Sequence, residues 1–389
     1  MNGGRQSGQQ TDDRRARPPS TPTTTSSGRT PGRSRGRADP PLPLASRHRH
    51  TDGVRAAVRT RYGGPEVVAL QDVAAPVAGP GELLVRVHAT TVNRTDCAYR
   101  SGLPWVNRLA CGWPRPRVHV LGSEYAGVVA ATGTGVTSYD VGDRVFGFVD
   151  GRPGAHAELV AVPVGGLVAR VPRGWDLADA APGMEAAHYA HACLRVTGVG
   201  AGDRALVHGA TGGIGTALVQ LLHAAGVEVT AVCDRLPPGR PDLLTRLGAG
   251  HVVVQEGVDV PDDAGAGFDV VVDATGHLSF GAASRLLRPG GTYVSSELGR
   301  GGQNVLLSAV GPLARLGGRR HVRFPFPRAD STLATHLRRL MERGDYRPVV
   351  DRTYSFDDLR EAYAYVDSGR KVGNVVVRMT DVADDAGGS

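Results

Sequence analysis

The chain has 389 residues, with 45 Lys or Arg against 38 Asp or Glu and a formal net charge of +7. That length accommodates two domains. The first fifty residues hold ten Arg and three Asp, which accounts for the entire excess. The rest is formally neutral, which excludes a net electrostatic argument for a nucleic-acid or membrane partner in the folded part. The cysteines Cys97, Cys111, Cys193 and Cys233 are scattered without a CxxC pair, which argues against a disulfide framework and fits a reducing cytoplasm. No apolar run reaches the length of a membrane span, and no apolar signal core follows the initial Met. Lys371 is the only Lys among the 45 basic residues, a bias we read as that of a GC-rich genome.

Residues 1–53 are rich in Pro, Ser, Thr, Gly and Arg and nearly devoid of bulky apolar side chains. Such a segment buries too little to offset its ordering entropy, so disorder is expected. A transit peptide and a nucleic-acid-binding arm are the rival readings. Val54 stands where a GTG start codon would give valine in translation, so an untranslated extension is a further expectation. From 54 to 174 the text is β-rich, with strands expected at 55–59, 67–73, 82–90, 127–132 and 144–149. From 175 to 316 strands and helices alternate, which predicts a parallel sheet covered by helices. From 317 to 380 a helix at 332–343 leads to 347–354, a short helix near 357–365 and a last strand at 374–378. Residues 381–389 are expected to be disordered.

The richest stretch is 204–234, RALVHGATGGIGTALVQLLHAAGVEVTAVCD. An apolar run at 204–208 precedes a turn containing Gly209, Ala210, Thr211, Gly212, Gly213, Ile214 and Gly215. Ile214, Ala217, Leu218, Leu221, Leu222 and Ala225 then recur at helical spacing. A second β-rich run, 227–233, ends at Asp234. Strand, glycine turn, helix, strand and acid together form a dinucleotide-binding unit. The glycines permit close approach of the pyrophosphate, and the helix N-terminus offers it free N–H groups.

Several segments resemble the medium-chain dehydrogenase/reductase superfamily, in its zinc-independent quinone reductase-like branch. They are VRAAVRTRYGGPEVV (54–68), TTVNRTDCAYRSGL (90–103), LGSEYAGVVAATGTGVTSYDVGDRVFG (121–147), GDRALVHGATGGIG (202–215) and PVVDRTYSFDDLREAYAYVDSGRKVGNVVV (348–377). The resemblance implies an α/β fold: a GroES-like β-rich catalytic domain, built from both ends of the core, plus a Rossmann doubly wound parallel sheet between them. The active site would lie in the cleft between the two.

Zinc-dependent relatives carry Cys where Asn93 stands and His where Ser123 stands, and they carry a four-Cys lobe missing here. Zinc needs thiolate, imidazole or carboxylate ligands converging on it, so no zinc is expected, and Glu124 is read as structural. Without a Lewis acid, charge on a substrate oxygen must be met by hydrogen bonds. That suits hydride transfer to a quinone or an α,β-unsaturated carbonyl. The resemblance implies Asn93 and Asp96 beside the nicotinamide, with Tyr99 and Arg100 as donors to a carbonyl oxygen. A structural role is open for each: Asn93 fixing its own loop, Arg100 pairing with Asp96. His188 and Tyr189 are weaker candidates, Thr275 follows a strand end suited to cofactor contacts, and Asn374 stands where many relatives have Lys.

The branch prefers NADP(H), whereas Asp234 would bond a ribose 2′-OH and repel a 2′-phosphate, which favours NAD(H); Arg235 offsets it. The partner expected is a small-molecule substrate, with no nucleic acid and no membrane; relatives are often dimers, so a homodimer stays open. The competing reading is a non-catalytic dinucleotide-binding redox sensor or partner protein.

Overall fold

A computed structural model describes residues 53–379 apart from 106, 118, 258–259 and 297–319. The expectations for 1–52 and 381–389 lie outside the described residues. A short antiparallel pair, β1 (Val54–Val58) and β2 (Ala69–Val73), opens the fold. Then come β3 (Glu82–Val92), α1 (Arg94–Ser101), α2 (Asn107–Cys111), β4 (Glu124–Thr132), β5 (Arg144–Phe148), β6 (Leu159–Pro163) and β7 (Leu167–Arg170). β6 and β7 flank the Gly165–Gly166 turn and are not among the expected strands. β6 alternates buried and less buried residues and pairs with β3; β7 closes against β5.

The second part begins with α3 (Leu177–Ala180) and α4 (Glu185–Thr197). It continues with β8 (Arg204–His208), α5 (Gly213–Ala224), β9 (Glu228–Cys233), α6 (Leu243–Arg246), β10 (His251–Val254), β11 (Phe268–Asp273), α7 (Phe280–Leu286), β12 (Leu287–Ser295) and β13 (His321–Arg323). Its strands form a six-stranded parallel sheet in the order β10-β9-β8-β11-β12-β13. Ala205, Leu206 and Val207 are wholly buried, as expected of a central parallel strand covered on both faces. The order reverses between β8 and β11, the switch point at which open α/β sheets bind ligands.

The chain ends with α8 (Ser331–Arg343), β14 (Val350–Ser355), α9 (Leu359–Asp367) and β15 (Asn374–Arg378). β15 pairs antiparallel with β3, so the last strand returns to the sheet of the first part, ordered β14-β15-β3-β4-β5-β7. The return comes later than the expected 317. β13 still belongs to the parallel sheet, because His321–Arg323 adds to the edge of β12. One apolar cluster joins Phe146 and Leu167 of the first sheet to Val207 and Leu218 of the second part and Leu337 of α8.

Candidate active site

A cleft of about 610 Å³ opens along the C-terminal ends of the parallel strands. Its floor is the glycine turn between β8 and α5. Gly209 has φ +78, and a Cβ there would fall 2.2 Å from Thr275 Cγ2; a Cβ on Gly215 would fall 2.1 Å from Gly209 O. Only glycine lets this turn close against the strand and helix. Gly212 caps α5 without a side-chain bond, so the first N–H groups of that helix carry no cap from it. Gly212, Gly213 and Ile214 line the cleft, as do Gly209 and Thr211. Ala210 and Gly215 are buried behind it and shape the turn rather than its surface.

Asp234 and Arg235 sit at one end of the cleft. Arg235 donates from Nε at 2.9 Å and from Nη2 at 2.5 Å to the same Asp234 oxygen. Thr275 lines the wall at the end of β11. Its hydroxyl donates to Asp273 at 2.7 Å, and its N–H donates to the same oxygen at 3.0 Å. His208 Nδ1 lies 3.1 Å from Asp273. Burial pushes the Asp273 carboxyl up, but the His208 contact and the Thr275 bonds outweigh it and hold the group below its ordinary range.

Two polar atoms of the wall are buried without a partner: His208 Nε2 and Gln255 Oε1. Orphaned groups cost free energy in the empty protein and regain it from a ligand. An uncapped helix end, a glycine floor and unpaired wall atoms fit a dinucleotide.

Asn93, Arg94 and Glu185 also line the cleft, and Lys371 and Asn374 border it beside the glycine turn. Asn93 is the N-cap of α1. Its Oδ1 accepts from Asp96 N at 2.8 Å, and Asp96 Oδ2 accepts from Asn93 N at 3.1 Å, a reciprocal capping box. Asn93 Nδ2 donates to Ser123 Oγ at 3.0 Å, and Ser123 Oγ donates to Asp96 Oδ1 at 2.8 Å. Asn93 thus fixes its loop and also borders the cleft. Asp96 is wholly buried; burial pushes it up to about 7, against the Asn93 and Ser123 bonds that favour its ionised form.

Four candidates from the sequence fall elsewhere. Arg100 is 2% exposed and faces away from the cleft. It donates to Gly63 O at 3.0 Å and Asp367 Oδ2 at 2.6 Å and stacks over Tyr363. Its partner is Asp367 of α9 rather than Asp96, although the two lie four residues apart on one helix, because the Asp96 carboxylate is engaged by Asn93 N and Ser123 Oγ. Tyr99 is not among the residues lining the cleft; burial and then Asp150 push its phenol up to about 12. His188 and Tyr189 lie on α4, and neither lines the cleft.

Arg94 and Lys371 are cleft residues that sequence reasoning passed over. The signals were present: Arg94 follows Asn93, and Lys371 is the chain's only lysine. Lys371 Nζ donates to Gly373 O at 2.6 Å. Burial lowers the Lys371 ammonium, and Glu185 opposes that. Glu185 accepts from Thr95 Oγ1 at 2.8 Å, and burial raises its carboxyl. Asn374 borders the cleft, and its amide donates to Val349 O at 3.1 Å.

The positions that hold zinc in metal-dependent relatives do not fit a metal here. Asn93 and Ser123 spend their polar atoms on each other and on Asp96. Glu124 is wholly buried and accepts from the N–H groups of Met184 and Glu185 and from Thr91 Oγ1. Among the described residues no group of three His, Cys, Asp or Glu is arranged to hold a metal ion.

Two family models match: an alcohol dehydrogenase GroES-like domain over 79–173 and a zinc-binding dehydrogenase over 247–377. A quinone oxidoreductase of Pseudomonas aeruginosa is 30% identical over 328 residues, covering 81% of this chain and 97% of that one. The chain belongs to the medium-chain dehydrogenase/reductase superfamily. A 2-methylene-furan-3-one reductase of Solanum lycopersicum is 31% identical over 332 residues, covering 82% and 77%. The solved quinone oxidoreductase of Coxiella burnetii shares the fold, with a TM-score of 0.71 at 21% identity over 85% of this chain and 100% of that one. Two Streptomyces polyketide synthase proteins match at 31% and 33% identity, and the chain spans 9% and 14% of their lengths. This superfamily comprises oxidoreductases that use a nicotinamide cofactor. Among the described residues no helix is long and apolar enough to cross a membrane.

Proposed function

We propose that this medium-chain oxidoreductase reduces a quinone or an α,β-unsaturated carbonyl with NAD(P)H, without zinc, in the cytoplasm. One observation carries the reading. The cleft keeps an uncapped helix end for a dinucleotide, while the residues at the zinc positions close on one another. The bound nicotinamide supplies the hydride. Gly212, Gly213 and Ile214 would hold the diphosphate with backbone N–H groups, and Asp234 with Arg235 the adenosine ribose. Arg94 and Lys371 are cationic donors of the cleft, and Asn93 fixes the loop that carries Arg94. The two cations would orient the acceptor and meet the negative charge that develops on its oxygen. Glu185 lies beside Lys371 in the cleft, and burial raises its carboxyl.

Within this reading NADP(H) is favoured. Asp234 is already paired by Arg235, and Arg370 adds a second guanidinium to the cleft. A homodimer belongs to the same reading, because β13 ends the parallel sheet among the described residues. The non-catalytic reading shares the glycine turn, so binding alone does not separate the two. The test is turnover. Oxidation of NADPH and NADH is followed with a panel of quinones and enones, in chelator, alongside elemental analysis. Acceptor-dependent oxidation with no bound zinc is the expected result. Tight cofactor binding with no turnover on any acceptor would favour a sensor, and one zinc per chain would overturn the metal-free chemistry.

A further inference from the structure

A second cavity, of about 420 Å³, lies between α4 and α8, outside the cleft. Its titratable lining is His188, His191 and Arg195 from α4, Arg328 and Asp330 from the segment before α8, and His336 from α8. Five of these six side chains are basic, in a chain whose described part is close to neutral.

His188 is wholly buried, and neither of its ring nitrogens has a hydrogen-bond partner. The ring packs between Phe148, at 5.7 Å, and Tyr189, at 5.2 Å, so it is held in place with its polar atoms unspent. The His191 and His336 rings meet at 5.3 Å, an arrangement that becomes repulsive when both protonate. The one carboxylate, Asp330, caps α8 by accepting from Leu333 N and also faces His188 and His191, so it offsets one of the five basic groups and leaves an excess of positive charge. A metal does not fit, since no three ligands converge among the described residues.

We propose that this cavity is a binding site for a phosphate-bearing small molecule, held by the guanidinium of Arg328 and the imidazoles of His188, His191 and His336. Oxyanions accept several charge-assisted bonds at once, which a cluster of Arg and protonated His donors can supply. The volume of about 420 Å³ accommodates an organic phosphate as well as inorganic phosphate. The proposal stands independently of the redox reading, since none of these residues lines the cleft.

Binding should strengthen as pH falls. Burial and neighbouring cations hold His188, His191 and His336 below the ordinary imidazole value. The charged groups facing them are Arg195 on α4, Asp330 and Arg328 before α8, and Arg339 and Arg343 on α8. An anion offsets those cations, so binding takes up protons.

The test is calorimetric titration of the full-length protein with inorganic phosphate and with glycerol 3-phosphate, at pH 6 and pH 8. Saturable binding is expected, tighter at pH 6. Arg328→Ala and His336→Ala, both at exposed positions, should each weaken it about tenfold or more with melting temperature unchanged. Gly212→Val separates this cavity from the dinucleotide cleft, which also suits phosphates. Phosphate binding that survives in Gly212→Val and fails in the other two supports the proposal. Binding lost in Gly212→Val but kept in Arg328→Ala and His336→Ala would place the anion in the cleft and overturn it. No saturable binding at either pH would overturn it as well.

Discussion

Two helix N-termini face the same cleft and are finished in opposite ways. At α1 the first turn is closed by a capping box between Asn93 and Asp96, and Ser123 ties the two side chains together. At α5 the cap is Gly212, which has no side chain to spend. The closed end positions the loop that borders the substrate side. The open end leaves backbone donors for a ligand. A helix terminus therefore becomes a binding site through what is withheld from it as much as through its dipole.

The comparison breaks most sharply at Gly212. Its φ of −70 suits any L-residue, and a Cβ there meets only Gly209 O at 3.5 Å, so the fold should accept a side chain. Gly212→Val should nevertheless weaken cofactor binding by about a hundredfold or more, because the branched group fills the diphosphate space. A fluorescence titration with NADPH checks this; unchanged affinity would move the phosphates elsewhere.

At the closed end the effect should fall on stability. Asn93→Ala removes a cap and leaves Ser123 and Asp96 short of a partner, at a cost of about 2 kcal/mol. Chemical denaturation measures it. Loss of turnover at saturating cofactor, beyond what unfolding explains, would show that Asn93 also touches the acceptor.

Asp234→Ser addresses the far end of the cleft. Removing the carboxylate leaves Arg235 free for a 2′-phosphate, so the ratio of kcat/KM for NADPH over NADH should rise about tenfold. A ratio that stays put would mean the pair does not meet the ribose.

The smallest effect is one of pH. Burial, and for Glu124 also the nearby Glu185, raises Asp96 to about 7 and Glu124 to about 8. Both hold protons in the folded state that the unfolded chain releases near pH 4, so stability falls as pH rises toward 8. His156 and His188, held down by burial at about 4, act the other way between pH 4 and about 6.5. The decline should therefore be cleanest from about pH 6.5 to 8, and Glu124→Gln should flatten it by about 1 kcal/mol. Melting temperatures across that window are the measurement; an unchanged slope would assign the titration to other groups.

The strand–turn–helix–strand unit at 204–233 was legible because every part of it is local. Glycine positions, helical apolar spacing and a terminal acid are properties of neighbours in the chain, and they determined the dinucleotide cleft without knowledge of the rest. The departures at Asn93 and Ser123 were equally legible, because a residue that is not a ligand is visible in the text. The tertiary structure alone decided the fate of Arg100, whose partner Asp367 lies 267 residues away, and the arrival of Lys371 opposite Glu185. It also decided β6 and the late edge strand β13, whose pairing partners β3 and β12 are chosen by sheet register. The second cavity belongs with these. α4 and α8 bring His188, His191 and His336 together across well over a hundred residues, and no local pattern records which faces of two helices will meet.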